Sequence, residues 1–301
     1  MSRLTSLHVH PLKSGRRLSP QSAAVEPWGL AGDRRWMLAD PSGRFVSQRE
    51  HPRLALVRAE PRPDGGLLLA APGARPLEVA APSAERGDPT AGVEVWGTPF
   101  RAAVAAAEAH AWFSALFGAD LRLVHLDDPL ARPADPEYAP GATVSMADGF
   151  PLLLAATASL DALNAAIAAD HAGGPDPEAG APVPMERFRP NLVVGGTEPW
   201  AEDGWRRIRV GEVVFRVVKP CGRCVITTTD QETGTVRGPE PLRALGRHRR
   251  IGRRLLFGQN LVPERPAGQA GPVLGTVRVG DPVAVLEEGP RPVAGRRPSG
   301  R

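Results

Sequence analysis

Glycine and proline, 33 of each in 301 residues, break this chain into runs too short for a helical bundle. They favour a loop-rich β structure. Between residues 4 and 100 the apolar stretches are strand-sized, and each ends at a turn signal. Leu7 and Val9 alternate with His8 and His10. Trp36, Leu38, Phe45 and Val46 flank Asp40-Pro41-Ser42-Gly43, and Leu54–Val57 and Leu67–Leu69 flank Pro63-Asp64-Gly65-Gly66. With Val93–Trp96 as a further strand, the spacing predicts a small barrel or sandwich. Ala103–Phe117, stopped by Gly118, predicts the first helix, and Leu121–Leu126 a returning strand. A Pro- and Asp-rich loop follows over 127–141. A second helix fits Ser159–Ala169, with Leu160, Leu163 and Ile167 on one face and Thr157 or Ser159 as cap. Residues 171–184 read as a flexible loop. Beyond them the chain is β again, and Arg209–Val213 and Arg278–Val283 are near copies, each read as strand, Gly-acid turn and strand. The expectation is a mainly β protein with a few helices (α+β). It breaks near residue 120 into segments 1–120 and 121–287, with a disordered Pro/Gly/Arg tail at 288–301.

Hydrophobic residues at 42% and charged residues at 23% are an ordinary globular balance. The net charge of +4 comes with no long basic block, so nucleic-acid binding is not indicated. Arg247–Arg250 with Arg253 and Arg254 is the densest basic stretch, and it reads first as a solvated helix end. No run of about 18 apolar residues predicts a membrane span, and Met1–Ser6 lacks the apolar core of a signal peptide. A soluble, cytoplasmic protein is expected.

The two cysteines sit together as Lys219-Pro220-Cys221-Gly222-Arg223-Cys224, in the loop expected to leave a strand at Val213–Val218. A chain that uses cysteine twice, at one spot, directs attention to its chemistry: thiolates are soft ligands and nucleophiles favoured by nearby cations, here Arg223 and Lys219. Structural zinc needs four ligands, and no H-x-x-x-H pair exists to complete them. A redox dithiol should open a helix, whereas Val225-Ile226-Thr227-Thr228-Thr229 reads as a strand. Two buried, inert cysteines are the plain alternative. The fourth reading is one cysteine on a soft metal such as molybdenum, with basic residues holding an organic cofactor. The pair alone leaves these open.

Three further segments put polar groups beside turns. Pro11-Leu12-Lys13-Ser14-Gly15 offers an ammonium, a hydroxyl and backbone N–H groups, a set that suits phosphate. Gly32-Asp33-Arg34-Arg35-Trp36 places basic residues at a strand entry. In Arg187-Phe188-Arg189-Pro190-Asn191-Leu192, Arg189 and Asn191 alternate and are expected on one face of a starting strand, an Arg for phosphate and an amide for a heterocycle edge. In order, P-L-K-S at 11–14, G-D-R-x-W at 32–36, F-R-P-N-L-V at 188–193 and C-G-R-C at 221–224 lead to T-T-T-D-x-x-T-G at 227–234. E-P-L at 240–242, L-F-G-Q-N at 256–260 and V-G-D-P-V at 279–283 complete the series. Together these resemble the MOSC superfamily, in the branch of the mitochondrial amidoxime-reducing component and its bacterial relatives. The resemblance spans residues 4 to about 286.

The resemblance implies an N-terminal MOSC β-barrel domain followed by a MOSC domain, and a molybdenum–pterin cofactor. It implies Cys224 as metal ligand and catalytic centre, with Cys221 a neighbour. It puts Lys13, Ser14, Arg34, Arg189 and Asn191 on phosphate and pterin, and Gly222 and Arg223 along the metal loop. Lys13, Arg34 and Arg189 are expected to converge within reach of Cys224 at the seam between the halves. Gly149 and Phe150 stand where close relatives carry small hydroxyl residues, so contact there would be through backbone. The implied reaction is reduction of N-hydroxylated compounds such as amidoximes, hydroxylamines or N-hydroxylated bases. A carrier module for the cofactor or its sulfur is the alternative. No G-x-G-x-x-G fingerprint and no cluster-forming cysteines remain, so electrons are expected from a separate ferredoxin- or cytochrome-type donor with its reductase.

Overall fold

Short β-rich segments with frequent turns build three small sheets and one large one. The computed structural model describes residues 1–291. Its strands are β1 (Arg3–Leu7), β2 (Ser22–Glu26), β3 (Gly29–Leu30), β4 (Trp36–Ala39), β5 (Arg58–Pro61), β6 (Leu67–Ala70), β7 (Leu77–Val79), β8 (Thr90–Val95) and β9 (Thr98–Val104). They continue with β10 (Arg122–His125), β11 (Leu152–Ala156), β12 (Leu192–Gly195), β13 (Trp205–Val210), β14 (Val213–Gly222), β15 (Arg250–Ile251), β16 (Arg254–Pro263), β17 (Gly275–Arg278) and β18 (Val283–Glu288). Three α-helices join them among the described residues: α1 (Ala107–Phe117), α2 (Thr157–Asp170) and α3 (Leu242–His248). The protein is mainly β. No described helix is long and apolar enough to cross a membrane.

The large sheet runs β1-β12-β11-β16-β14-β13-β18, with β15 paired to β16. β1 also bonds to the chain entering β18: Leu4 N donates to Asp281 O (2.9 Å), Gly280 N to Leu4 O (2.7 Å) and Val283 N to Ser2 O (2.9 Å). The two ends of the sheet therefore meet. One apolar core fills its inside, with Leu4, Leu7, Leu154, Leu192, Ile208, Phe215 and Leu261. A second core, with Leu12, Trp36, Leu38, Leu54, Phe113 and Leu123, lies under α1 and the sheet β4-β10-β9-β8. α2 and α3 cover the large sheet through Leu163, Ile167, Leu245 and Phe257.

Several local expectations change. α1 starts at Ala107, because Ala103 and Val104 are still paired with β8 and β10. Leu54–Leu56 lies in a 3₁₀ turn opened by Pro52, not in a strand. α2 has no side-chain cap; Ser159 is buried and binds Glu202 instead. The loop at 171–184 holds a short 3₁₀ turn capped by Asp176. Arg278–Val283 is not a hairpin: β17 pairs with β2, and β18 with β13. β14 continues through Gly222, and β18 through Glu288. The tail from residue 292 lies outside the described residues.

Candidate functional site

The backbone passes between the two cores, and each passage must leave both sheets. Between Val9 and Leu12 it crosses from the first core to the second, and Lys13-Ser14 follow at once. Between Leu30 and Trp36 it crosses again, carrying Asp33 and Arg34. A third stretch, from Met146, which packs in a further cluster with Met37, Val95 and Val124, to Leu152 in the first core, carries Asp148, Gly149 and Phe150. The three are zipped together: Arg34 N donates to His10 O (2.7 Å), Lys13 N to Trp36 O (2.7 Å) and Met146 N to Arg34 O (2.9 Å). Polar residues that neither core accepts are thus collected at one seam.

A cleft opens there. All eight residues singled out from the sequence line it: Lys13, Ser14, Arg34, Arg189, Asn191, Gly222, Arg223 and Cys224. Cys221 and, from the other wall, Phe45, Ser47, Arg49 and Asp148 join them. Five lining side chains are cationic and one is a carboxylate, Asp148. Low-dielectric walls lined by one sign of charge concentrate the opposite sign.

Backbone strain is concentrated at the same place. Five non-glycine residues among those described have left-handed φ, and three are Ser14 (φ 66), Arg34 (φ 49) and Arg189 (φ 52). Such conformations persist where the surroundings impose them, and they cluster at functional sites. Arg189 reaches the cleft by this turn, at the end of the 3₁₀ segment Met185–Phe188. Strand alternation with Asn191, the expected route, is not how it gets there.

Each cation is held by the chain on one side. Burial pushes the Asp33 carboxyl up, but the Arg34 guanidinium and the bonds from His10 outweigh it and hold it at about 2. Arg34 also donates to Asn191 Oδ1 (3.2 Å) and Arg189 O (3.3 Å). Arg189 Nη1 donates to Gly15 O (2.8 Å) and Gln231 Oε1 (3.1 Å), while its Nη2 is buried without a partner. Arg223 Nε is a second such atom. Buried donors without acceptors are costly and mark a place where an acceptor belongs. Asn191 is 1% exposed. Its amide donates to His8 O (3.0 Å) and accepts from Leu153 N (3.2 Å) and Arg34. It therefore positions Arg34 and β11 through its oxygen, and one N–H of its amide stays uncommitted at the cleft lining.

The cysteine loop also departs from its expected form. Val225–Thr228 is a 3₁₀ turn with Cys224 as its first flanking residue, not a strand. Thr227 Oγ1 donates to Cys224 O (2.9 Å) and Thr228 Oγ1 to Val225 O (2.8 Å). These hydroxyl bonds to the backbone favour a turn over the strand that β-branched residues otherwise prefer. Both thiols are free and half-buried. Each meets a different guanidinium: Arg223 Nη1 lies 3.0 Å from Cys221 Sγ, and Arg49 Nη2 2.9 Å from Cys224 Sγ. Lys219, expected beside the thiols, is instead bound to Asp135 (3.1 Å) and stacked on Tyr138. Arg49 was invisible in the sequence, where Ser47-Gln48-Arg49 carries no turn or motif; its place depends on Trp96, over which it lies at 4.6 Å.

Family models match in two blocks: the MOSC N-terminal beta barrel domain over residues 1–120 and the MOSC domain over residues 141–284. The chain belongs to the MOSC family. This MOSC protein is 29% identical over 304 residues to mitochondrial amidoxime-reducing component 1 of Homo sapiens, covering 94% of this chain and 82% of that protein. It is 32% identical over 256 residues to the component of that name from Danio rerio, covering 82% and 74%. Molybdenum cofactor sulfurase of Danio rerio is 30% identical over 279 residues, which is 90% of this chain but 33% of the sulfurase.

Proposed function

We propose that this MOSC protein binds a molybdenum–pterin cofactor and reduces N-hydroxylated compounds with electrons from a separate redox protein. The observation that carries the reading is the meeting of a free thiol, Cys224, with five cations in one cleft. The donor set suits that group. No cluster of three or more His, Cys, Asp or Glu among the described residues could hold a metal ion, so a metal here would take Cys224 from the protein and its remaining donors from a cofactor. Arg189 Nη2 and Arg223 Nε supply buried donors for an anionic one. Lys13, Ser14, Arg34 and Arg189 would hold the phosphate and pterin end, and Gly222, Arg223 and Cys224 the metal end.

When bound, the cofactor supplies two-electron chemistry for cleaving an N–O bond: the N-hydroxyl compound, two electrons and two protons give the N–H compound and water. The chain's part is to bind and orient. Phe45, Phe150, Phe188 and Ile226 give the cleft apolar walls that exclude water around the reacting bond. Arg49, fixed over Trp96 and 2.9 Å from Cys224 Sγ, stands where it can donate to an oxygen beside the thiol. With two cysteines in all, the chain has too few for an iron–sulfur cluster of its own, and a ferredoxin- or cytochrome-type donor with its reductase is assigned that role.

The test is metal and pterin analysis of protein made in a cofactor-competent host, followed by benzamidoxime reduction with an artificial donor. Stoichiometric molybdenum and turnover are expected; protein free of pterin refutes the reading. Turnover with reduced pyridine nucleotide alone would refute the need for a separate donor. The 30% identity to a sulfurase supports a second reading, a cofactor or sulfur carrier. Loaded protein that transfers cofactor or sulfur but leaves the amidoxime untouched would select it.

A further inference from the structure

Two buried cations grip one short segment of the cleft wall from opposite sides. Arg132 is 2% exposed. Its Nη1 donates to Ser145 O (2.5 Å) and Ala147 O, and its Nη2 to Asp148 O (2.7 Å). From the cleft side, Lys13 Nζ donates to Met146 O (2.9 Å) and Asp148 Oδ1 (2.6 Å). The carbonyls of residues 145–148 are therefore all fixed. The Asp148 carboxylate is the exposed part, with Lys13, Trp96 and Arg49 as its neighbours. It is 63% exposed, whereas the Lys13 side chain it meets is 6% exposed.

We propose that Asp148 is an internal counter-ion. Its carboxylate occupies the anion position on Lys13 in the ligand-free protein and swings into solvent when a phosphate group takes the ammonium. This rests on the reading that the cleft receives a phosphate-bearing cofactor. Two anions cannot share one ammonium without repulsion, and of the two partners only Asp148 is open to solvent, so it is the one able to give way, leaving Lys13 and its bond from Trp96. Lys13 has no such exit. Burial pulls its pKa down to about 8, and Asp148 opposes that fall. The carboxylate thus keeps the ammonium charged and in place between ligands. The backbone need not move, because Arg132 holds it. An incoming anion gains Lys13 only by outcompeting Asp148. A multiply charged phosphate that also reaches Arg34 and Arg189 can do so, and a monovalent ion is disfavoured.

The test is titration calorimetry of cofactor-free full-length protein with inorganic pyrophosphate at low salt. Asp148→Asn should bind on the order of two- to fivefold tighter, the value of a partly exposed ion pair. Lys13→Met should bind much more weakly, and adding Asp148→Asn to Lys13→Met should restore nothing. Unchanged or weaker binding by Asp148→Asn, or a gain that survives the loss of Lys13, overturns the counter-ion while leaving the phosphate reading intact. Wild-type binding by Lys13→Met overturns both. A readout free of mutation is the Asp148 carboxyl carbon resonance in the wild-type chain. It should shift as pyrophosphate is added, and a fixed resonance overturns the proposal even where a variant fails to fold.

Discussion

Asp33→Asn should destabilise the protein in a manner set by pH. Asp33 is fully buried, and its Oδ1 accepts from His10 N at 2.7 Å while Oδ2 accepts from Arg34. Burial opposes its charge, yet Arg34 and His10 hold the carboxyl at about 2, below the model-compound value of 3.8. At about 1.4 kcal/mol per pKa unit, that difference is worth roughly 2 kcal/mol. The folded value is the lower one, so this stability is fully present above pH 3.8 and is lost as pH falls through about 2. Removing the charge also leaves the Arg34 guanidinium, 12% exposed, without its counter-ion. Urea unfolding of wild type and Asp33→Asn at pH 7 and pH 3 isolates the effect, because other titrations cancel in the difference. The gap should be about 2 kcal/mol at neutral pH and about half that at pH 3. A gap of the same size at both values would refute the electrostatic account, and no gap at pH 7 would show that the Arg34 pair is dispensable.

Glu202, fully buried beside Ser159, behaves in the opposite sense: burial raises its carboxyl to about 6. Its contribution is present below the unfolded value of 4.5 and is lost as pH rises through about 6. Glu202→Gln should therefore gain about 2 kcal/mol on wild type between pH 4 and pH 8, measured by thermal unfolding across that range. Gly258→Ala should cost roughly 3 kcal/mol, because φ is 79 and a Cβ there would lie 2.6 Å from Leu154 O; chemical denaturation reads this, and a cost below 1 kcal/mol would contradict it. Cys224→Ser should lose molybdenum, by elemental analysis of protein from a cofactor-competent host, while Cys221→Ser retains it; equal loss would mean a shared site.

The features legible in the sequence were those written in local chemistry. Turn signals gave β4, β6 and β8, and the 3.6-residue spacing of Leu160, Leu163 and Ile167 gave α2. The Gly211-Glu212 turn gave the β13–β14 hairpin. Misreadings arose where a nonlocal or side-chain contact decided the outcome. Thr227 and Thr228 bend their segment through hydroxyl bonds to the backbone, although as β-branched residues they read as strand. Alternation joins Arg189 and Asn191 in the sequence, whereas Arg189 turns left-handed and the Asn191 oxygen is taken by Leu153 and Arg34. Arg49 and Asp148 have no local signature, because they acquire their places from residues 175 and 135 positions away, and Arg132 acquires its place from carbonyls 13 to 16 positions on.

The first strand has a bearing on how the protein comes to be folded. On one side β1 zips antiparallel to β12, with Arg3 opposite Gly195; on the other it receives Val283 N at Ser2 O. It comes first of the sheet's strands in chain order, and its two neighbours come from residues near 195 and near 283. Until residues near 195 emerge, Leu4 and Leu7 have no core to enter, and until residues near 283 emerge the ring cannot close. Closing it joins points nearly the whole chain apart, the costly kind of contact that slows folding. In the interval the other side of β1, where Ser2 O and Leu4 later bond to residues 280–283, is an open edge able to pair with another chain. A nascent chain of this kind is most exposed to misassembly late in synthesis, when most of its sheet exists and its clasp does not.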